Sequence, residues 1–229
     1  MKIGRTLFWF KDGPERIQIL SSRFFGLGTL LNNLLNEKYD GKKIKFINFD
    51  FNTEKTYELF PVIPKNAPYY YGGHLQYYGV FDKDWFLSLS RSEQNKFVWQ
   101  QGHQYLLESA QVMKNKELAQ AADYAYQKGL EMELNTDYRV VDTEITMSGE
   151  KVRASIWIIF KEDRMYSKLT LEHAGNIIFE KDLDDAEIGV EFFLEIYKAI
   201  SLEGENIVIK GHKDVEYLPL KIPLSEMWT

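Results

Sequence analysis

The sequence predicts an α+β protein built as two ββαβ-like lobes, with an antiparallel meander and an inserted helical hairpin, and three observations carry that prediction. Val141, Thr143, Ile145 and Met147 alternate with polar residues, the period of a half-buried strand. Leu27, Leu30, Leu31, Leu34 and Leu35 follow the three-four spacing of a helix with one buried stripe. The order strand, strand, helix, strand reads twice, over residues 6–50 and again over 168–210, which makes an internal pseudo-repeat a candidate.

Taken in order, the apolar stretch from Thr6 to Lys11 meets Lys11-Asp12-Gly13-Pro14, an Asp-Gly turn signal, and then Ile17-Gln18-Ile19-Leu20, so a hairpin is expected. Ser21 or Ser22 is placed to cap the leucine-striped helix, which Asp40-Gly41 stops. Ile44, Phe46, Phe49 and Phe51 resume extended structure. Pro61, Pro64 and Pro68 then interrupt regular structure before a run of rings: Tyr69, Tyr70, Tyr71, Tyr77, Tyr78, Phe81, Trp85 and Phe86, spaced by Gly72-Gly73 and Gly79. These rings read either as a strand pair at the edge of the core or as a recognition surface, because Tyr and Trp offer large contact area at low entropy cost.

Ser90-Arg91-Ser92-Glu93 is a capping box that opens a helix to about Lys114, with Trp99, Leu106, Ala110 and Met113 inward. A second helix follows Asn115, its inner side made of Leu118, Ala121, Ala122, Ala125 and Gly129, so the two form a close-packed antiparallel pair. From Tyr138 the period becomes two. Ser148-Gly149, Glu162-Asp163 and Ala174-Gly175 divide the meander, and the strand with Val152, Ala154, Ile156 and Ile158 carries Trp157 and Ile159 on its other face, as a centrally placed strand does. Asp184 is read as the cap of an amphipathic helix bearing Phe192, Phe193, Ile196 and Tyr197. The apolar tail beyond Gly211, from Val215 to Met227 and Trp228, is broken by Pro219 and Pro223 and is expected to pack along its own body. Domain boundaries follow: an N-terminal α+β lobe at 1–84, the helical hairpin at 85–136 and the meander with its helix at 137–229, packed as one unit.

Composition narrows function by exclusion. The absence of cysteine removes disulfides, thiolate nucleophiles and cysteine-ligated metals. A net charge of −6 argues against direct nucleic-acid binding, and no apolar run reaches the roughly 20 residues of a membrane-spanning helix. A cytoplasmic location is the default expectation. Gly26-Leu27-Gly28 precedes a helix and Asp50 lies where a ribose-binding acid would, but Leu31 occupies the third glycine position of a dinucleotide fingerprint; close packing of the helix start is the better reading. His74, His103, His173 and His212 have no metal-site spacing, no Gly-x-Ser-x-Gly elbow occurs, and neither cofactor nor metal is expected.

Asp182, Asp184, Asp185, Glu187, Glu191 and Glu195 form an acidic group without an interspersed cation. On a helix Glu187, Glu191 and Glu195 would share one exposed stripe. The expectation is a non-enzymatic protein that binds another protein, most concretely an immunity-type inhibitor of a basic bacterial toxin or nuclease domain. Its expected contact residues are Asp184, Asp185, Glu187, Glu191 and Glu195 together with Tyr69, Tyr70, Tyr71, Tyr77, Tyr78 and Trp85. The alternative is a hydrolase-like enzyme or small-ligand binder with a cleft near residues 69–85 and His74.

Overall fold

A computed structural model describes the backbone of residues 2–228 and side chains as far as Glu226; Met227 and Trp228 of the apolar tail therefore lie outside the described side chains. The chain divides into two compact units, residues 1–136 and 137–229. Its class is α+β, with the expected meander and helical hairpin.

The first unit begins with β1 (Arg5–Asp12) and the two-residue β2 (Glu15–Arg16), followed by α1 (Gln18–Arg23) and α2 (Phe25–Lys38). Then come β3 (Phe46–Asn52), α3 (Glu54–Leu59), β4 (Ala67–Tyr71), β5 (His74–Val80), α4 (Lys83–Ser88), α5 (Arg91–Val112) and α6 (Lys116–Glu131). The sheet order is β2-β1-β3-β5-β4, with β1, β3 and β5 mutually parallel and the two outer strands antiparallel. Alternation decides its faces. Phe8, Phe10, Ile47, Phe49, Phe51, Leu75 and Tyr77 turn to one side and are buried in one core with the inner sides of α2, α5 and α6. Phe10 stacks on Phe51 at 4.9 Å and Phe8 on Phe49 at 5.4 Å. Each such buried ring contributes on the order of 1.5–3 kcal/mol by leaving water.

Several local readings hold for their stated physical reasons. Ser90 and Glu93 form the reciprocal capping box, and the Asn115 side chain accepts from the Leu118 amide at 3.1 Å to open α6. Gly129 lets the Trp99 indole lie against α6, since a Cβ there would stand 2.2 Å from the ring. Gly28 brings α2 onto β1, where a Cβ would stand 2.4 Å from the Thr6 carbonyl oxygen, so the Gly-x-Gly is a packing device. His103 bonds Asp123 at 2.8 Å and stacks on Tyr126, tying α5 to α6.

Two readings near the N-terminus change. Residues 17–20 are not a strand: β2 stops at Arg16 and Gln18 already begins α1. The Phe10 carbonyl accepts from the Ile17 amide at 2.8 Å and the Phe10 amide donates to Ser21 Oγ at 3.2 Å, so the edge of β1 is satisfied without a longer partner. Neither Ser21 nor Ser22 caps the leucine helix; both lie in α1, and α2 begins afresh at Phe25 with all five stripe leucines buried.

The second unit holds the meander β6 (Tyr138–Met147), β7 (Glu150–Phe160), β8 (Arg164–His173) and β9 (Asn176–Glu187), paired in that order. A three-stranded sheet follows: β10 (Tyr197–Glu203), β11 (Asn206–Gly211) and β12 (Leu220–Pro223). Val152, Ala154, Ile156 and Ile158 of β7 are buried, and Trp157 and Ile159 opposite them are half-buried, as a centrally placed strand requires. The tail joins the body through β12, whose Ile222 is buried against β11.

The helix expected from Asp184 is absent. β9 runs on to Glu187 because β8 is long enough to pair it to the end, with Ser167 opposite Asp184, Tyr166 opposite Asp185 and Arg164 opposite Glu187. Gly189, at φ +95°, then breaks the chain, and only a short 3-10 segment at Glu191–Glu195 remains before β10. The strand, strand, helical-turn, strand order recurs in outline. The pairing differs, since β1 and β3 lie side by side in one sheet whereas their counterparts β8 and β11 fall in different sheets, so a duplication is not established.

Candidate functional site

Helices α2, α5 and α6 cover one side of the five-stranded sheet, and the residues on its other side are half-buried or exposed save for Asn52, which Tyr57 of α3 meets. Neighbours in register point to the same face, so the pairing lays out that side as rows. Trp9, Asp50 and Tyr78 form one row; Leu7, Asn48, Gln76 and Tyr69 form the next; Phe46, His74 and Tyr71 lie beyond, beside Arg5. Lys11 and Arg16 stand together at the β1/β2 side.

A groove of about 450 Å³ lies along these rows, with Trp9, Arg16, Asn48, Asp50, Gln76 and Tyr78 among its lining. Its side chains hold one another in place. Trp9 Nε1 donates to Asn48 Oδ1 at 3.2 Å, and the Arg16 guanidinium lies over the indole, 5.2 Å from its centroid. Gln76 Nε2 donates to Asp50 Oδ2. Asn52 donates to the Tyr57 hydroxyl at 3.3 Å, which donates in turn to the Gly79 carbonyl at 3.0 Å. Burial raises the Asp50 carboxyl above its usual range, although the Gln76 hydrogen bond and the charges of Arg16 and Lys11 act the other way. Burial, and then the Asp50 charge, raises the Tyr78 phenol.

A second hollow, about 600 Å³, lies at the carboxyl ends of β1, β3 and β5, where Asp12 bonds Lys83 at 2.8 Å and Thr53 at 2.9 Å. The Lys83 hydrogen bond lowers the Asp12 carboxyl, and the arrangement is a satisfied tie between loops. No group of three or more His, Asp or Glu side chains placed to hold a metal ion occurs among the described residues, and no described helix is long and apolar enough to cross a membrane.

No known family model matches the chain, and comparison with curated proteins and with solved structures finds no significant similarity.

The residues expected to contact a partner are dispersed. Tyr69, Tyr70 and Tyr71 are exposed on β4, and Trp85 is exposed on α4. Tyr78 lines the groove. Tyr77 is a core residue, 1% exposed, stacked on Tyr105 at 4.0 Å with its hydroxyl on Glu108, and has no surface to offer. The acids do not form a helical stripe. Asp184 accepts from Tyr217 at 2.7 Å within a hydroxyl chain through Tyr197 to Ser167. Asp185 pairs with Arg164, and Asp182 lies 3.7 Å from Lys168. Glu187 ends β9, while Glu191 and Glu195 are exposed on the 3-10 segment. Charge is nevertheless segregated: residues 1–136 hold 17 basic against 15 acidic residues, and 137–229 hold 11 against 19.

Asp50, Gln76, Asn48 and Trp9 were not singled out as a group by sequence reasoning. A signal for two of them and for their neighbour Asn52 is present on β3, since Asn48, Asp50 and Asn52 alternate strictly with Ile47, Phe49 and Phe51.

Proposed function

We propose that this chain is a non-enzymatic protein-binding protein, most concretely an immunity-type inhibitor that neutralises a bacterial toxin. The observation that supports it is β4. This strand is the edge of its sheet and carries three consecutive exposed tyrosines, at 52%, 39% and 73% exposure. Edge strands offer unpaired main-chain groups to another chain, and natural proteins usually blunt them with charge. Here the sequence Pro68-Tyr69-Tyr70-Tyr71 supplies rings instead, the residues that dominate binding energy at interfaces. The acidic excess of residues 137–229 favours a basic partner such as a nuclease domain and would speed its approach.

Co-expression with a panel of bacterial toxin and nuclease domains, including any that its gene neighbourhood encodes, tests the reading. The wild-type chain rescues growth and forms a measurable complex. Tyr69→Ala with Tyr71→Ala weakens that complex by about 1,000-fold, if each ring is worth about 2 kcal/mol, without altering the melting temperature. Reversing Glu187, Glu191 and Glu195 to Lys slows association more than it speeds dissociation. Absence of rescue by the wild type would remove the inhibitor reading, and a double tyrosine variant that binds normally would move the contact off β4.

A further inference from the structure

We propose that the groove on the open face of the first unit's sheet binds a guanine-type nucleotide, with Asp50 reading the base and the basic rim taking the phosphate. The inference goes beyond partner binding at β4 and stands on different residues.

The floor of the groove presents acceptors. Gln76 Nε2 is committed to Asp50 Oδ2, which leaves Asp50 Oδ1 and Gln76 Oε1, both on groove-lining residues, with no hydrogen-bond partner among the described residues. Asp50 also has no ion pair with any described cation, although it is recessed enough for burial to disfavour its charge. A recessed carboxylate held in one orientation and left half-satisfied calls for N–H donors from outside the chain.

The rim selects which donors. Lys11 and Arg16 are close enough for their charges to act on Asp50, so a cationic head such as an ammonium or guanidinium would enter against two like charges. A neutral head with two adjacent N–H donors avoids that cost. Guanine presents N1–H and N2–H on one edge and accords with the neighbouring acceptors of Asp50 and Gln76. The same two cations are then placed for an anionic phosphate. Tyr78 stands beside Asp50 in the same row and lines the groove, so an aromatic ring is at hand for a planar base, while the Trp9 indole, fixed by its bond to Asn48, is already covered by Arg16. A volume of about 450 Å³ lies within the range of small-ligand sites. A free nucleotide and a nucleotide within a single strand share this chemistry.

The full chain is titrated with GMP, IMP, AMP, free arginine and a guanine-containing single-stranded RNA hexamer, by calorimetry and tryptophan fluorescence. Saturable GMP binding is expected, weaker for IMP, which lacks the 2-amino group, and weaker again for AMP. Asp50→Asn lowers GMP affinity by about 10- to 100-fold, the range for losing a paired base contact. Lys11→Gln with Arg16→Gln weakens binding and flattens its salt dependence, and this variant carries the test if Asp50→Asn misfolds. Tighter binding of GMP than of the hexamer identifies a free nucleotide, and the reverse identifies a strand; either supports the site. No saturable binding of GMP or the hexamer at millimolar concentration, equal binding by Asp50→Asn, or preference for arginine overturns it.

Discussion

Gly28→Ala probes the contact on which the first unit's α/β packing rests. A Cβ at Gly28 would stand 2.4 Å from the Thr6 carbonyl oxygen and 3.4 Å from its carbon, so the closest approach is about 1 Å inside ordinary van der Waals contact. Both sides of the clash are main chain. No rotamer can relieve it, and α2 must lift from β1, loosening Leu27, Leu30 and Leu31 in the core they share with Phe8 and Phe49. Helix propensity opposes this by about 1 kcal/mol in favour of Ala, whereas overpacking costs about 1–3 kcal/mol and more where nothing flexible can yield. A net loss of about 2 kcal/mol follows, roughly 5–10 °C in melting temperature for a unit of this size. The control is Gly102→Ala, whose Cβ would meet the Phe8 ring at 3.3 Å, a contact that a side chain can relax. Thermal and urea unfolding, followed by the helical circular-dichroism signal, give both values. If Gly28→Ala melts at or above the wild type, or proves milder than Gly102→Ala, close packing is not the reason for glycine there.

Other perturbations follow from the same geometry. Hydrogen bonds from Arg153 and then Ser155 pull the Asp142 carboxyl down to about 2 against its partial burial, so its contribution to stability is complete above about pH 4 and disappears as pH falls towards 2. Asp142→Asn is therefore less stable than the wild type at pH 5, by under about 1 kcal/mol because both partners are solvent-screened, and the gap closes by pH 2 in urea titrations; a gap that persists at pH 2 would contradict this. Tyr77→Phe keeps the stack on Tyr105 but loses the hydroxyl bond to Glu108, at a cost of about 1–2 kcal/mol, and a double-mutant cycle with Glu108→Gln returns a coupling; strict additivity would refute the bond. Gly189→Ala, at φ +95°, destabilises the second unit by about 1 kcal/mol, and an unchanged urea midpoint would argue against the turn that ends β9.

How much of the molecule could be read beforehand depended on the range of the forces involved. Helices α5 and α6 were legible because capping is local chemistry: Ser90 and Glu93 sit three residues apart, and Asn115 directly precedes its helix. The meander was legible because each turn lies between its own strands. Residues 184–197 were misread because Glu187, Glu191 and Glu195 satisfy helical spacing equally well. The deciding factor was the reach of β8, twenty residues upstream, and the left-handed Gly189. At residues 17–20 a local strand pattern yielded to side-chain closure of the β1 edge by Ser21.

The candidate site shows the same division. Exposed tyrosines at 69–71 stood out from composition, but Tyr77 and Tyr78, adjacent in sequence, part to opposite faces of β5, one into the core and one into the groove. Alternation alone says that neighbours in a strand diverge; it does not say which face is covered. By itself the sequence determined the α+β class, the capped helical pair, the four-stranded meander and the packing glycine at Gly28, because propensity, capping and period act within a few residues. Tertiary structure alone decided that Trp9, Asp50 and Gln76, from strands separated by loops and helices, share one groove, because register across a parallel sheet is set by long-range pairing that no local pattern encodes.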